Sequence, residues 1–149
     1  MFKSLNMYKT RRLNSESADL MRKYDVKQFS DKEVVISINR IGDVQIKIPD
    51  DYPFKKPAVF VNRKKYKSML RSPSPRFDQL LKKLYTICCL ECESVTCDYN
   101  WHVGITIDGI IQEIEKNCNI KEKLAHYFLI ESIKIKNHVP AEVDFFQYL

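Results

Sequence analysis

Tyr52-Pro53-Phe54-Lys55-Lys56-Pro57-Ala58-Val59-Phe60 is the run from which the rest of the chain is best read. Each proline fixes its φ angle and removes a backbone donor, so the segment up to Pro57 is a rigid turn rather than part of a ladder. Ala58-Val59-Phe60-Val61 then reads as a short strand, and Pro57 is tolerated because it stands at the strand's start.

Toward the N-terminus, Val34, Ile36 and Ile38 alternate with Val35, Ser37 and Asn39, and Val44, Ile46 and Ile48 alternate with Gln45 and Lys47. A period of two is that of a half-buried strand, and Gly42-Asp43 has the turn chemistry to join two of them, so the spacing predicts a β-hairpin. Earlier still, Leu13, Leu20, Met21 and Tyr24 fall on one helical stripe, with Arg12, Glu16, Asp19 and Arg22 assigned to the other faces.

Toward the C-terminus, Ser74-Pro75 offers an N-cap followed by proline at the first helical position, and Phe77, Leu80, Leu81 and Leu84 follow at helical spacing. Ile107, Ile110, Ile111 and Ile114 repeat that spacing, with Thr106 or Asp108 as cap. Leu124, Tyr127 and Phe128 place a last helix after Asn117-Cys118-Asn119. The chain is therefore read as α+β: an N-terminal helix, an antiparallel β-meander, a cysteine-bearing irregular segment and C-terminal helices. At 149 residues one domain spanning 1–149 is expected, with enough apolar residues to build a core without disulfides.

The longest run free of charged residues, Tyr99 to Ile107, is far short of the roughly 20 apolar residues of a membrane span. Met1 to Arg12 lacks the apolar stretch of a secretory signal. Five cysteines, an odd number with four crowded between Cys88 and Cys97, do not form an extracellular disulfide framework. These features point to a cytoplasmic or nuclear protein without a membrane partner. The net charge of +6 gathers in Lys9-Thr10-Arg11-Arg12, Lys55-Lys56 and Arg63-Lys64-Lys65-Tyr66-Lys67; it favours acidic partners or serves as a solvated face.

Tyr52-Pro53-Phe54-Lys55-Lys56-Pro57, directly ahead of a strand with an aromatic residue, resembles the Tyr-Pro-Phe-x-x-Pro signature of ubiquitin-conjugating (UBC-like) enzymes. Cys89-Leu90-Glu91 is similar to the Cys-Leu-Asp at that family's active cysteine, and Trp101 with Ile105-Thr106-Ile107 is similar to its Trp-Ser-Pro-x-Leu-Thr-Ile segment. The resemblance runs from about residue 8 to about residue 135. It implies a UBC-like fold and acyl transfer: Cys89 would take ubiquitin or a ubiquitin-like modifier from an activating enzyme as a thioester and pass it to a lysine or a ubiquitin ligase. Arg11 and Arg12 on the first helix, Phe54, and His102 and Val103 would be partner-binding residues. No cofactor or metal belongs to the chain in this reading, and nucleic acid is not the partner.

The sequence departs from that family in three places. No His-Pro-Asn precedes the cysteine, and neither Asn nor His occurs between Asn62 and Asn100; loss of an oxyanion donor of this kind costs about 10²–10³ in rate. Asn100 or Tyr99 is a candidate replacement. The Cys89 to Trp101 spacing is longer than the family's, and His102-Val103-Gly104 replaces Ser-Pro-Ala. With Cys88 and Cys92 close by, either is an alternative nucleophile. Two other readings stand beside catalysis. A non-catalytic relative would keep the fold to bind ubiquitin or a ligase. Alternatively, the x2, x4, x4 spacing of Cys89, Cys92, Cys97 and His102 would suit a zinc knuckle, with Tyr99 and Trp101 stacking on single-stranded nucleic acid. His126 and His138 have no ligand partners nearby in sequence and are read as ordinary structural or surface residues.

Overall fold

Every strand pairs with its neighbour in the chain. In the computed structural model, which describes residues 2–136, β1 (Asp25–Phe29), β2 (Glu33–Ile38), β3 (Gly42–Lys47), β4 (Ala58–Val61) and β5 (Lys64–Lys65) form one antiparallel sheet in the order β1-β2-β3-β4-β5. The register aligns Ile36, Val44 and Val61 in one cross-strand row and Val34, Ile46 and Val59 in the next, and all six are buried. Burying each such side chain is worth about 1.5–3 kcal/mol, which is why alternation in the sequence predicted these strands. The hairpin turn lies earlier than Gly42-Asp43, at residues 39–41, where Arg40 takes a left-handed φ of 70°. Gly42 opens β3 with φ 113°, and a Cβ there would stand 2.0 Å from Asn62 Oδ1. Asn62 needs that space: its Oδ1 accepts from Asp43 N at 3.1 Å and its Nδ2 donates to Ile41 O at 2.7 Å, clasping one turn with the next.

The helices cover the buried rows. α1 (Phe2–Lys23) buries Leu13 and Leu20, but Met21, expected on the buried stripe, is 58% exposed, and Glu16, expected on a polar face, is buried, because at i+3 from Leu13 and i−4 from Leu20 it shares their face. A short α2 (Tyr66–Met69) follows β5 and buries Tyr66. α3 (Pro75–Tyr85) starts as its sequence predicts, with Ser74 Oγ accepting from Phe77 N at 3.2 Å; it buries Phe77, Leu80 and Leu81 and leaves Leu84 in solvent. A single turn of helix, α4 (Leu90–Glu93), lies inside the segment expected to be irregular.

The C-terminal helices expected from the sequence are one helix. α5 (Ile107–Lys136) runs for 30 residues straight through Asn117-Cys118-Asn119. Asparagine lowers helix propensity by well under about 1 kcal/mol, and here Asn117 is buried with Nδ2 donating to Tyr66 Oη at 2.8 Å. Packing of Ile110, Ile111, Ile114, Ile120 and Leu124 into the same core as the sheet outweighs that local preference. Thr106 is the cap, its Oγ1 accepting from Gly109 N at 3.0 Å. His126 is exposed on α5, and His138 lies outside the described residues. Among the described residues, no helix is long and apolar enough to cross a membrane.

Candidate functional site

The cysteine segment is delivered by α3. Thr86 ends that helix in a left-handed conformation, φ 57°, its N–H donating to Lys82 O, and buried Ile87 turns the chain inward. Cys88 is exposed and Cys89 half-buried. Cys89 is the N-cap of α4: its backbone is extended and its Sγ accepts from Cys92 N at 3.3 Å, the role a serine or aspartate oxygen usually fills. Leu90 is buried and anchors the turn. Cys92 is exposed, and its thiol is held above the ordinary range, first by its hydrogen bond to Cys89, then by the Cys89 charge.

Beyond α4 the chain is fastened by side chains. Glu113, from α5, accepts from Ser94 Oγ at 2.7 Å and Tyr66 Oη at 3.0 Å on one oxygen, and from Val95 N at 2.8 Å on the other. Burial, then the Glu113 charge, pushes the Tyr66 hydroxyl far above its ordinary value near 10. Asn100 Nδ2 donates to Cys92 O at 2.7 Å and to Ser94 O at 2.9 Å. Both amide hydrogens are thereby committed to holding the loop, so Asn100 offers no free donor to an oxyanion; Tyr99 is 97% exposed. The Pro53 turn braces the far end of the segment: Trp101 Nε1 donates to Pro53 O at 3.0 Å, and Lys56 Nζ reaches Thr96 O and Asp98 Oδ1, each at 2.8 Å.

A second locus surrounds α1. Tyr8 and Phe54, both about half exposed, meet edge to face with centroids 5.7 Å apart at 85°. One helical turn on, Arg12 donates from Nη1 to Val103 O at 2.6 Å and from Nη2 to Ile105 O at 2.7 Å. Its Nε stands 3.3 Å from Glu16 Oε2. Buried Glu16 in turn accepts from Tyr52 Oη at 2.7 Å and from Ile107 N at 2.7 Å, at the N-terminus of α5 where a carboxylate is favoured. The Arg12 guanidinium is thus turned into the fold, where it holds the His102-Val103-Gly104 loop against α1, while Arg11, His102 and Val103 are exposed.

Tyr8, Arg12, Phe54 and Val103 therefore meet on one side of α1, whereas Cys89 sits in its own segment, linked to that face through the Pro53 turn. Among the described residues, no three His, Cys, Asp or Glu side chains are grouped as a metal ion requires, so Cys89, Cys92, Cys97 and His102 do not assemble the ligand set that their spacing suggests. A cleft of about 1060 Å³ between the end of β2 and α5, lined by Tyr24, Ile38, Asn62, Met69 and Cys118 among others, includes no residue of the cysteine segment. The sequence placed Glu16 on a polar face of α1 and gave no sign of Glu113. The signal for Glu16 was its phase: it lies at i+3 from Leu13 and i−4 from Leu20, on the buried stripe itself. No family model, no curated protein and no solved structure matches this chain.

Proposed function

We propose that the chain is a divergent ubiquitin-conjugating-enzyme-like domain that accepts ubiquitin or a ubiquitin-like modifier as a thioester on Cys89 and passes it to a lysine or a ligase. The observation that carries this reading is the half-exposed Tyr8–Phe54 pair beside the Arg12-held Val103 loop. Three segments far apart in sequence present apolar side chains to solvent on one side of α1, where the resemblance puts the surface for activating enzymes and ligases. Exposed apolar groups gathered in this way mark interaction sites more often than isolated ones do. In the reaction the Cys89 thiolate attacks an activated acyl carbon and displaces its leaving group. A lysine amine then attacks the thioester carbonyl, and the Cys89 thiolate leaves. ATP is consumed by the activating enzyme, and this chain supplies the thiol and the docking face.

A non-catalytic adaptor is the second reading, and the structural role of Cys89 as the cap of α4, together with the missing His-Pro-Asn, favours it. The test is a charging assay with activating enzyme, ATP and modifier, resolved with and without reductant. A reductant-sensitive adduct that disappears in Cys89→Ser supports the conjugating enzyme. Absence of any adduct from wild-type protein, with ubiquitin or ligase binding that Phe54→Ala weakens, replaces it with the adaptor. An adduct that survives in Cys89→Ser moves the nucleophile to Cys88 or Cys92.

A further inference from the structure

Acyl transfer uses one thiol, yet the turn Cys89-Leu90-Glu91-Cys92 holds two together. Cys89 Sγ is 3.3 Å from the amide nitrogen of Cys92, an atom bonded to the same Cα that carries the Cys92 Cβ and thiol. A disulfide needs Cβ atoms about 3.5–4.5 Å apart, and a cap sulfur folded back over the third residue of its own helix is placed to meet that condition with little backbone movement. Both ends of the turn are secured. Glu93 N donates to Cys89 O at 3.2 Å, Leu90 is buried beneath, and Asn100 grips Cys92 O.

We propose that Cys89 and Cys92 are a reversible dithiol–disulfide couple, oxidised by a small-molecule disulfide such as oxidised glutathione. The Cys89 thiolate attacks one glutathione sulfur, forming a mixed disulfide and releasing glutathione thiolate. The Cys92 thiol gives its proton to solvent and attacks Cys89 Sγ, so that the Cys89–Cys92 bond forms and the second glutathione leaves. The protein loses two electrons and two protons, and the oxidant becomes two molecules of reduced glutathione. The raised Cys92 value, for which Cys89 is the largest cause, is consistent with the closeness that the 3.3 Å contact of Cys89 Sγ with Cys92 N shows. Exposure of Cys92 gives the reagent access. So short a ring constrains the unfolded chain little, so the fold does not depend on the bond and the couple can cycle. If the thioester reading also holds, oxidation removes its nucleophile.

The test is mass spectrometry of the full-length protein after equilibration with oxidised glutathione, alkylation of the remaining thiols, and digestion with trypsin and a glutamate-specific protease. Cleavage after Glu91 and Glu93 separates Cys89, Cys92 and Cys97 into different peptides. The expected result is loss of two of the five alkylatable cysteines, a Cys89–Cys92 cross-link in wild type and Cys88→Ser, its absence in Cys89→Ser and Cys92→Ser, and full reversal by dithiothreitol. Stable glutathione adducts on both cysteines, five alkylated thiols, or a link from Cys92 to Cys97 instead would each overturn the proposal. No modifier or partner protein enters this measurement, so its outcome is independent of the charging assay.

Discussion

Two carboxylates, Glu16 and Glu113, do the same job in two regions with different results. Each accepts from a tyrosine hydroxyl and a backbone amide: Tyr52 and Ile107 for Glu16, Tyr66 and Val95 for Glu113. The third partner differs. Glu16 is paired with the Arg12 guanidinium and is only 8% exposed, whereas Glu113 takes the neutral Ser94 hydroxyl and is half-buried. Glu16 joins α1, the Pro53 turn and the start of α5 and is paired with a cation, so its loss is felt by the whole fold; Glu113 joins α5 to α2 through Tyr66 and to the loop at Ser94 and Val95, where two of its three bonds lie, so its loss is felt most by the loop. Buried charge placed between elements secures architecture, and polar bonding placed along one loop secures the pose of the cysteines.

The sharpest way to break the comparison is Glu16→Ala, which strands the buried Ile107 amide and Tyr52 hydroxyl and takes its carboxylate from the partly buried Arg12 guanidinium. A cost on the order of 3–5 kcal/mol in urea unfolding is expected; a cost no larger than that of Glu113→Ala would erase the distinction. Glu113→Ala should cost about 1–3 kcal/mol and, unlike Glu16→Ala under native conditions, speed alkylation of Cys88, Cys89 and Cys92. Unchanged thiol reactivity would mean that the loop is held by other contacts.

Alkali tests both hubs together. Burial first, and then the neighbouring carboxylate, raise the Tyr52 and Tyr66 hydroxyls above their ordinary value near 10. The folded state therefore keeps protons that the unfolded state gives up. The stability from these two groups is fully present below pH 10 and declines as pH rises above it. The urea midpoint should fall through that range, and Tyr66→Phe should flatten the slope; a slope unchanged in Tyr66→Phe and Tyr52→Phe would assign it to other groups. The smallest effect is expected from Phe54→Ala, within about 0.5 kcal/mol as for other surface changes. A larger loss would make Phe54 a packing residue and weaken the docking reading.

The sheet was legible because it is governed by a period of two: Val34, Ile36, Val44 and Ile46 announce their face, and Ala58–Val61 has the bounds read for it. β1 was not legible, since Asp25-Val26-Lys27-Gln28-Phe29 covers the sheet's edge with two half-buried residues and no clear alternation. The continuity of α5 was hidden because Asn117-Cys118-Asn119 has the composition of a break, and the apolar packing on either side of it and the Tyr66 hydroxyl, 51 positions away, show why it is not one. At the candidate site, Cys89 and Phe54 were singled out by motif, while the inward turn of Arg12 and the capping role of Cys89 depend on partners that no local pattern encodes.

The strand order, identical to the chain order, also bears on how fast the molecule assembles. Every sheet pairing closes a short loop, so the meander can zip from neighbour to neighbour with little entropy lost at each step. The Glu16 to Ile107 bond, by contrast, spans 91 positions and can form only once the chain's distant parts have come together. A rate-limiting nucleus centred on β2 and β3 follows, with high φ-values for Val44→Ala and low ones for Glu16→Ala; the reverse ranking would place the closing of the helices first.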